Sequence, residues 1–157
     1  MGDIFQLSID TSLPPTEVLS HLFSRNTDEL EIRHLDRKDE LVLHAANANF
    51  GASIHETQLD KRKHPHRMDY YFQIKPTYDI FFGYKREREA ECHQAIIEAV
   101  IKLLEKVPGD AGVFYNDLML LLRQNGEITI CDYIGIWTSE NRALLPPTHE
   151  KEWLITG

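Results

Sequence analysis

One stretch of the sequence limits the folds that this chain can adopt. It is a long amphipathic helix that stops at Pro108-Gly109 and is followed by two tight turns. Over residues 85–107 apolar side chains recur at helical spacing, and they stop where proline cannot continue a helix and glycine can reverse the chain. Asn116-Asp117 and Asn125-Gly126 then separate three short apolar runs, as hairpin turns do. This stretch predicts a helix followed by a three-stranded antiparallel meander.

The first half of the chain shows a similar succession of segments. Residues 4–10 alternate apolar and polar side chains, which predicts a strand with one buried face. Pro15 suits the first turn of a short helix. Residues 29–35, 40–46 and 50–57 predict three further strands, the first two joined by a charged hairpin turn.

Four other segments link these halves and close the chain. Residues 60–67 form a basic loop in an otherwise acidic protein. Residues 69–75 predict a strand that Pro76 ends, and residues 78–84 an aromatic link to the long helix. Residues 137–157 carry scattered apolar side chains and predict an ordered, extended tail that wraps the domain.

Length and element order together predict the fold class. A chain of 157 residues with 42% hydrophobic residues fits one domain, 1–157, and can bury about two-thirds of its unfolded surface. The order strand, helix, three strands occurs twice, which suggests a βαβββ duplication. We therefore predict an α+β two-layer sandwich, a largely antiparallel sheet with two helices on one face.

Charge and hydropathy restrict the classes of partner and the location. The chain has 25 acidic and 17 basic residues, a formal charge of −8, which argues against a nucleic-acid partner and is compatible with a basic protein. Ordinary solubility explains this charge equally well. No apolar run reaches the roughly 20 residues of a membrane span, and the N-terminus lacks the pattern of a signal peptide. We expect a cytoplasmic protein without membrane contact.

Residues suited to catalysis form no recognisable site. The sequence lacks the common nucleotide-binding, serine-hydrolase and zinc-protease motifs. His64 and His66 could share a metal with a third ligand, and His44 and His55 could lie close together on neighbouring strands. Isolated, solvated histidines are more common than either arrangement, so we predict no catalytic residue, no metal site and no cofactor.

Several motifs of the C-terminal half resemble a known family. They are the hairpin sequences FYND at 114–117 and LLLR at 120–123, the turn NG at 125–126, and the tail WTSENRALLPP at 137–147. With the helix before them, they are similar to the immunity-protein family of the myxobacterial Sit swarm-inhibition toxins. The resemblance covers about residues 71–152, and it carries over no catalytic residue.

This resemblance implies a cytoplasmic binding protein without enzymatic activity, which neutralises one cognate toxin by protein–protein contact. Many such toxins are nucleases with basic clefts, so an acidic inhibitor would associate faster by electrostatic steering. The candidate contacts are acidic residues around the first hairpin, namely Asp28, Glu29, Glu31, Asp36, Asp39 and Glu40. The alternatives are a regulatory or self-associating domain, or a small hydrolase or metal-binding enzyme using His64 and His66. The sequence leaves the oligomeric state open.

Overall fold

The computed structural model describes residues 3–23, 33–37, 40–132 and 134–150, and of residues 33–37 and 40–42 only the backbone. The helices are α1 Pro15–Phe23, α2 Arg67–Phe72, α3 Glu89–Lys106 and α4 Ser139–Arg142. The strands are β1 Phe5–Ile9, β2 Arg33–Arg37, β3 Glu40–Ala46, β4 Gly51–Glu56, β5 Tyr78–Gly83, β6 Ala111–Tyr115, β7 Leu118–Gln124, β8 Glu127–Ile130 and β9 Thr148–Glu150.

The strands of the described residues form one nine-stranded sheet in the order β2-β3-β4-β5-β1-β6-β7-β8-β9. Neighbours pair antiparallel, except that β8 and β9 run parallel. The predicted α+β class is therefore confirmed. The three hairpins predicted from turn residues are also present: β2–β3, β6–β7 and β7–β8. The strand predicted over residues 29–35 begins at Arg33 in the described chain, and residues 24–32 lie outside the description.

The predicted succession of strand, helix and three strands occurs twice, with α2 inserted between β4 and β5. The two halves nevertheless enter the sheet differently. After α1 the chain starts at the sheet edge with β2 and works inward to β4, whereas after α3 it starts beside β1 with β6 and works outward. The halves thus repeat their order along the chain and not their arrangement in the sheet.

Strand β1 lies near the middle of the sheet, and all five of its residues are buried. Its apolar side chains Phe5, Leu7 and Ile9 belong to the main core, which includes the buried faces of α1 and α3. The alternating pattern therefore marked the apolar face correctly. The expectation that its other face meets solvent is wrong, because Gln6 and Ser8 are also buried.

Helix α2 covers part of the opposite face. Its Met68 is fully buried in a second cluster with Ile74, Phe114, Met119 and Leu122. Gly112 of β6 permits this close packing, since a Cβ there would lie 2.6 Å from the Met68 sulfur. The strand predicted over residues 69–75 is wrong: this segment contains most of α2, and the predicted aromatic link at 78–84 contains β5 instead.

The end of α3 is fixed by Arg123 of β7. Its guanidinium donates to three carbonyl oxygens, those of Leu104 at 2.6 Å, Val107 at 2.6 Å and Gly109 at 2.7 Å. The last carbonyls of a helix have no partner within it, so a cation that binds them stabilises the helix end. Helix α3 ends at Lys106, just before the Pro-Gly pair as predicted, and Pro108, Gly109 and Arg123 also line a pocket of about 660 Å³. That the junction has only an architectural role stays a prediction.

The tail is more structured than the predicted extended segment. It forms the short helix α4, which Thr138 caps, and then the parallel edge strand β9. The buried Asn141 anchors it, because its amide donates to Gln94 at 2.9 Å and to the Ile136 carbonyl at 2.7 Å. Within the described residues, none of the helices has the length and hydropathy needed to cross a membrane.

Candidate functional site

A buried carboxylate organises the face of the sheet opposite α1 and α3. Asp79 of β5 pairs with Ser8 of β1, so both side chains project from the same face. Its Oδ1 accepts hydrogen bonds from Ser8 Oγ at 2.6 Å, His66 Nε2 at 2.8 Å and Gln6 Nε2 at 3.1 Å. These four side chains join β1, β5 and the start of α2 into one polar network.

His66 serves this network as a helix cap. Its Nδ1 accepts the backbone N–H of Met68 at 3.0 Å, which satisfies one free donor of the first turn of α2. The proton of the neutral ring is therefore assigned to Nε2, which donates to Asp79. His66 is only 3% exposed, so the expectation of solvated histidines is wrong here, whereas His64 is exposed.

Asp79 is charged in the folded protein. Burial alone would raise the pKa of its carboxyl group, but the hydrogen bond from His66, together with the hydrogen bonds from Ser8 and Gln6, lowers the pKa below its ordinary value. The network thus holds a carboxylate that is 6% exposed without a metal or an arginine bonded to it in the described chain.

Acid should weaken the fold through this group. Because the folded pKa of Asp79 lies below the ordinary value of 3.8, its charge stabilises the native state above that value, and this contribution disappears as the pH falls through the folded pKa. We expect wild type to lose more stability than Asp79→Asn between about pH 5 and pH 2 in urea unfolding. Equal losses in the two proteins would contradict this assignment.

Arg67, the first residue of α2, lies beside the network. Its Nη2 donates to Gln6 Oε1 at 2.9 Å and its Nη1 to the Asn116 carbonyl at 2.9 Å. The guanidinium carbon lies 3.4 Å from the centre of the Phe114 ring, a cation–π contact. Three contacts from separate strands and turns thus fix the orientation of this cation.

An open depression of about 770 Å³ lies over these residues. Its wall includes Ile4, Gln6, Arg62, Arg67, Asp79 and Asn116. Helix α2, the basic loop before it and the β6–β7 turn surround the depression, which places it over the central strands β5, β1 and β6. We refer to it below as the Arg67 depression.

The network does not have the arrangement of a serine-hydrolase triad. In a serine hydrolase the histidine takes the proton of the serine, and the aspartate orients the histidine from the far side. Here Ser8 and His66 both donate to Asp79, so the carboxylate stands between them and the histidine does not accept the proton of Ser8. Among the described residues no group of three or more His, Cys, Asp or Glu side chains could hold a metal ion.

The two strand histidines, His44 and His55, project from the same face of neighbouring strands. His44 pairs with Ser53 and His55 with Val42, so the two histidines lie at diagonal positions of the β3–β4 ladder. His55 is engaged with Ser53, 3.2 Å away. The predicted closeness of the two histidines is therefore that of a diagonal pair on adjacent strands.

Of the six predicted partner-binding acids, the structure describes the backbone of two. Asp36 in β2 and Glu40 in β3 belong to the last backbone pairs before the hairpin turn at the sheet edge, where Arg37 pairs with Glu40. Asp28, Glu29, Glu31 and Asp39 lie outside the described residues. Contact of these acids with a partner therefore stays a prediction.

Sequence reasoning missed the network because its members come from distant segments. Gln6 and Ser8 had the spacing of a solvent-exposed strand face, and Arg67 looked like part of a loop. One signal was available: Asp79 interrupts the apolar run from Tyr78 to Phe82. A charged residue inside a buried apolar run needs hydrogen-bonding or oppositely charged partners, so its presence predicts a polar network around it.

Fold and site together define a small α+β protein with a polar depression over the central strands of its sheet. The SitI3-like family model matches residues 4–141, so the chain belongs to that family. The match includes β1 and the whole polar network, and it extends the resemblance of the C-terminal half to nearly the start of the chain. Searches among curated proteins and among solved structures gave no match.

Proposed function

We propose that the protein is an immunity protein that acts in the cytoplasm, where it binds one cognate toxin and neutralises it by protein–protein contact. The observation that carries this proposal is the match to the SitI3-like family over residues 4–141. The site supports it, because polar side chains held in fixed orientations can bind a partner by hydrogen bonds alone.

The charge of the chain favours a toxin with a basic surface, such as a nuclease. A net charge of −8 attracts a basic partner during diffusional encounter and raises the association rate. Asp36 and Glu40 stand at the edge of the sheet, next to the outermost hairpin turn, where a partner can approach. We propose that the acids of this hairpin make the first electrostatic contact.

Salt and charge reversal test the steering. Raising the salt from about 0.05 to 0.5 M should slow association by roughly tenfold or more, since a shorter Debye length screens exposed charges. The double variant Asp36→Lys/Glu40→Lys should also associate more slowly than wild type in stopped-flow mixing.

The matched control is Glu98→Lys/Glu105→Lys on the exposed side of α3, which changes the net charge by the same amount. It should slow association less than the hairpin variant does. Equal effects of the two variants would mean that overall charge and not the hairpin steers the toxin. A rate independent of salt would refute electrostatic steering altogether.

Affinity capture tests the proposed function itself. The tagged protein is bound to a resin, exposed to a lysate of its native host and eluted for mass spectrometry. The proposal predicts one basic chain at near-equal stoichiometry that inhibits growth when expressed alone. Recovery of the protein only with itself would support the self-associating alternative.

A further inference from the structure

The guanidinium of Arg67 is held firmly but its hydrogen-bonding capacity is only partly used. It donates to Gln6 Oε1 and to the Asn116 carbonyl, both uncharged acceptors, and its flat face rests on Phe114. An arginine has further N–H donors along its planar edge, in a fork that matches the two oxygens of a carboxylate. Stacking occupies a face of this group and leaves its edge available for such a bond.

The charge of Arg67 also lacks a direct counter-ion. None of the carboxylates in the described residues lies within 4.0 Å of it; Asp79 and Asp117 act on it only over longer range. Burial lowers the pKa of Arg67, which means that removal from water disfavours its charge. A carboxylate that entered the depression would offset this cost.

Asp79 does not block such a ligand. Its Oδ1 already accepts three hydrogen bonds, which spread its negative charge over Ser8, His66 and Gln6. Arg62 lines the same depression and adds a second positive charge at its wall. Asp3 and Asp117 also line the depression, beside the β6–β7 turn, so Arg62 and Arg67 attract an incoming carboxylate against the charge of these two acids. The free donors of Arg67, and not the net charge of the lining, make it the point at which an acidic group would bind.

The rim supplies the apolar contacts of a protein interface. Tyr70, one helical turn after Arg67, is 66% exposed, and Ile4 on the wall is 50% exposed. Tyrosine and arginine together are typical of the residues that dominate binding energy at interfaces. This composition fits a protein partner better than a small polar solute.

We infer that the Arg67 depression is a docking surface for the cognate toxin and that Arg67 binds the carboxylate of an aspartate or glutamate side chain of that toxin. The identity of the partner rests on the proposed function. This surface is distinct from the acidic hairpin, because β2 and β1 are separated by four strand spacings, roughly 19 Å. The toxin would thus be steered at the sheet edge and anchored over the sheet centre.

A small probe tests the chemistry of the site without the toxin. N-acetylglutamate amide is titrated into the ¹⁵N-labelled protein, and the Arg67 Nε–H resonance is followed; N-acetylglutamine amide, the uncharged analogue, is the control ligand. We expect saturable binding on the order of 10 mM for the glutamate and at least about tenfold weaker binding for the glutamine. Arg88, which pairs with Glu91, and Arg123, which binds backbone carbonyls, are internal references.

Shifts of equal size at all three arginines, or equal binding of both probes, would overturn the carboxylate site. The captured toxin then tests docking: Arg67→Lys, which keeps the charge but loses the planar fork, should weaken the dissociation constant by more than about tenfold. Lys63→Gln in the exposed part of the basic loop should change it less than about threefold.

The two measurements separate the claims. Tight toxin binding that is unaffected by Arg67→Lys would overturn docking at this depression and leave the proposed function intact. Absence of any toxin would overturn the proposed function and the assignment of the partner, while the probe titration would still decide whether Arg67 binds carboxylates. A melting curve of Arg67→Lys close to that of wild type excludes unfolding as the cause of weaker binding.

Discussion

Gly109→Val is expected to destabilise the protein by more than about 4 kcal/mol. Gly109 has a φ of +124°, a conformation that residues with a side chain rarely adopt. A Cβ at this position would also lie 1.9 Å from the carbonyl oxygen of Asp10, a backbone atom that cannot rotate away. Asp10 in turn donates its N–H to the Asp110 carbonyl at 2.9 Å, so the clash would separate the end of β1 from the start of β6.

Gly126→Val is the matched control for that variant. Gly126 also has a positive φ, +82°, but an added Cβ there would meet no atom within 4 Å. It should therefore cost only the backbone strain, about 1–3 kcal/mol. Urea unfolding followed by circular dichroism compares the two proteins, and equal losses would show that contact with Asp10 does not constrain the junction.

Asp79→Ala should lower the free energy of unfolding by roughly 3–5 kcal/mol. The substitution removes the acceptor shared by three buried side chains: Ser8 and His66 lose the acceptor of their hydrogen bonds, whereas the Gln6 amide keeps its bond to Ser8 Oγ at 3.0 Å. Each buried donor that loses its partner costs about 1–3 kcal/mol, although part of this cost can be relieved if water enters from the depression. Since Asp79 also fixes His66, the cap of α2, that helix should lose amide protection first.

Two controls separate the network from charge alone. Asp79→Asn keeps one acceptor oxygen and should cost less than Asp79→Ala. Asp60→Ala, which removes an exposed acid, should stay within about 0.5 kcal/mol of wild type. A loss for Asp79→Ala as small as that for Asp60→Ala would contradict the structural importance of the network.

The spacing of apolar residues and the turn-forming residues Asn and Gly were sufficient to predict the long helix and the tight hairpins. Helix α3 has several turns of regular apolar spacing, and Asn116, Asn125 and Gly126 adopt the positive φ angles that the predicted turns require. The doubled succession of elements is present, but the first strand of its second half is β5 at Tyr78–Gly83 and not the predicted segment 69–75. That the chain is a single domain stays a prediction, which one cooperative unfolding transition would support.

Helix α2 was missed because its pattern is short and misleading. Tyr70, Tyr71 and Phe72 have the composition of a strand, and a six-residue helix is too short to reveal a helical period. Its limits are set by His66, whose ring caps the start, and by Gln73, which ends the helix with a φ of 56°. The cap at the start depends on a tertiary contact, since His66 is oriented by Asp79.

The site could not be derived for a related reason. Gln6, Arg67, Asp79 and Asn116 become neighbours only through the sheet order, in which β1 lies between β5 and β6. Sequence spacing contains no information about that order. The charge of −8 directed attention to clustered acids, whereas the polar depression over the sheet centre includes a basic side chain, Arg67.

Growth protection tests the central claim most directly. The toxin recovered by affinity capture is expressed from an inducible promoter in a bacterium that lacks the immunity protein, with and without the protein described here. Our account predicts that wild type restores growth and forms a one-to-one complex with the toxin, and that Arg67→Lys protects less well at equal abundance. Unchanged killing in cells that contain the folded wild-type protein in excess would contradict neutralisation by binding.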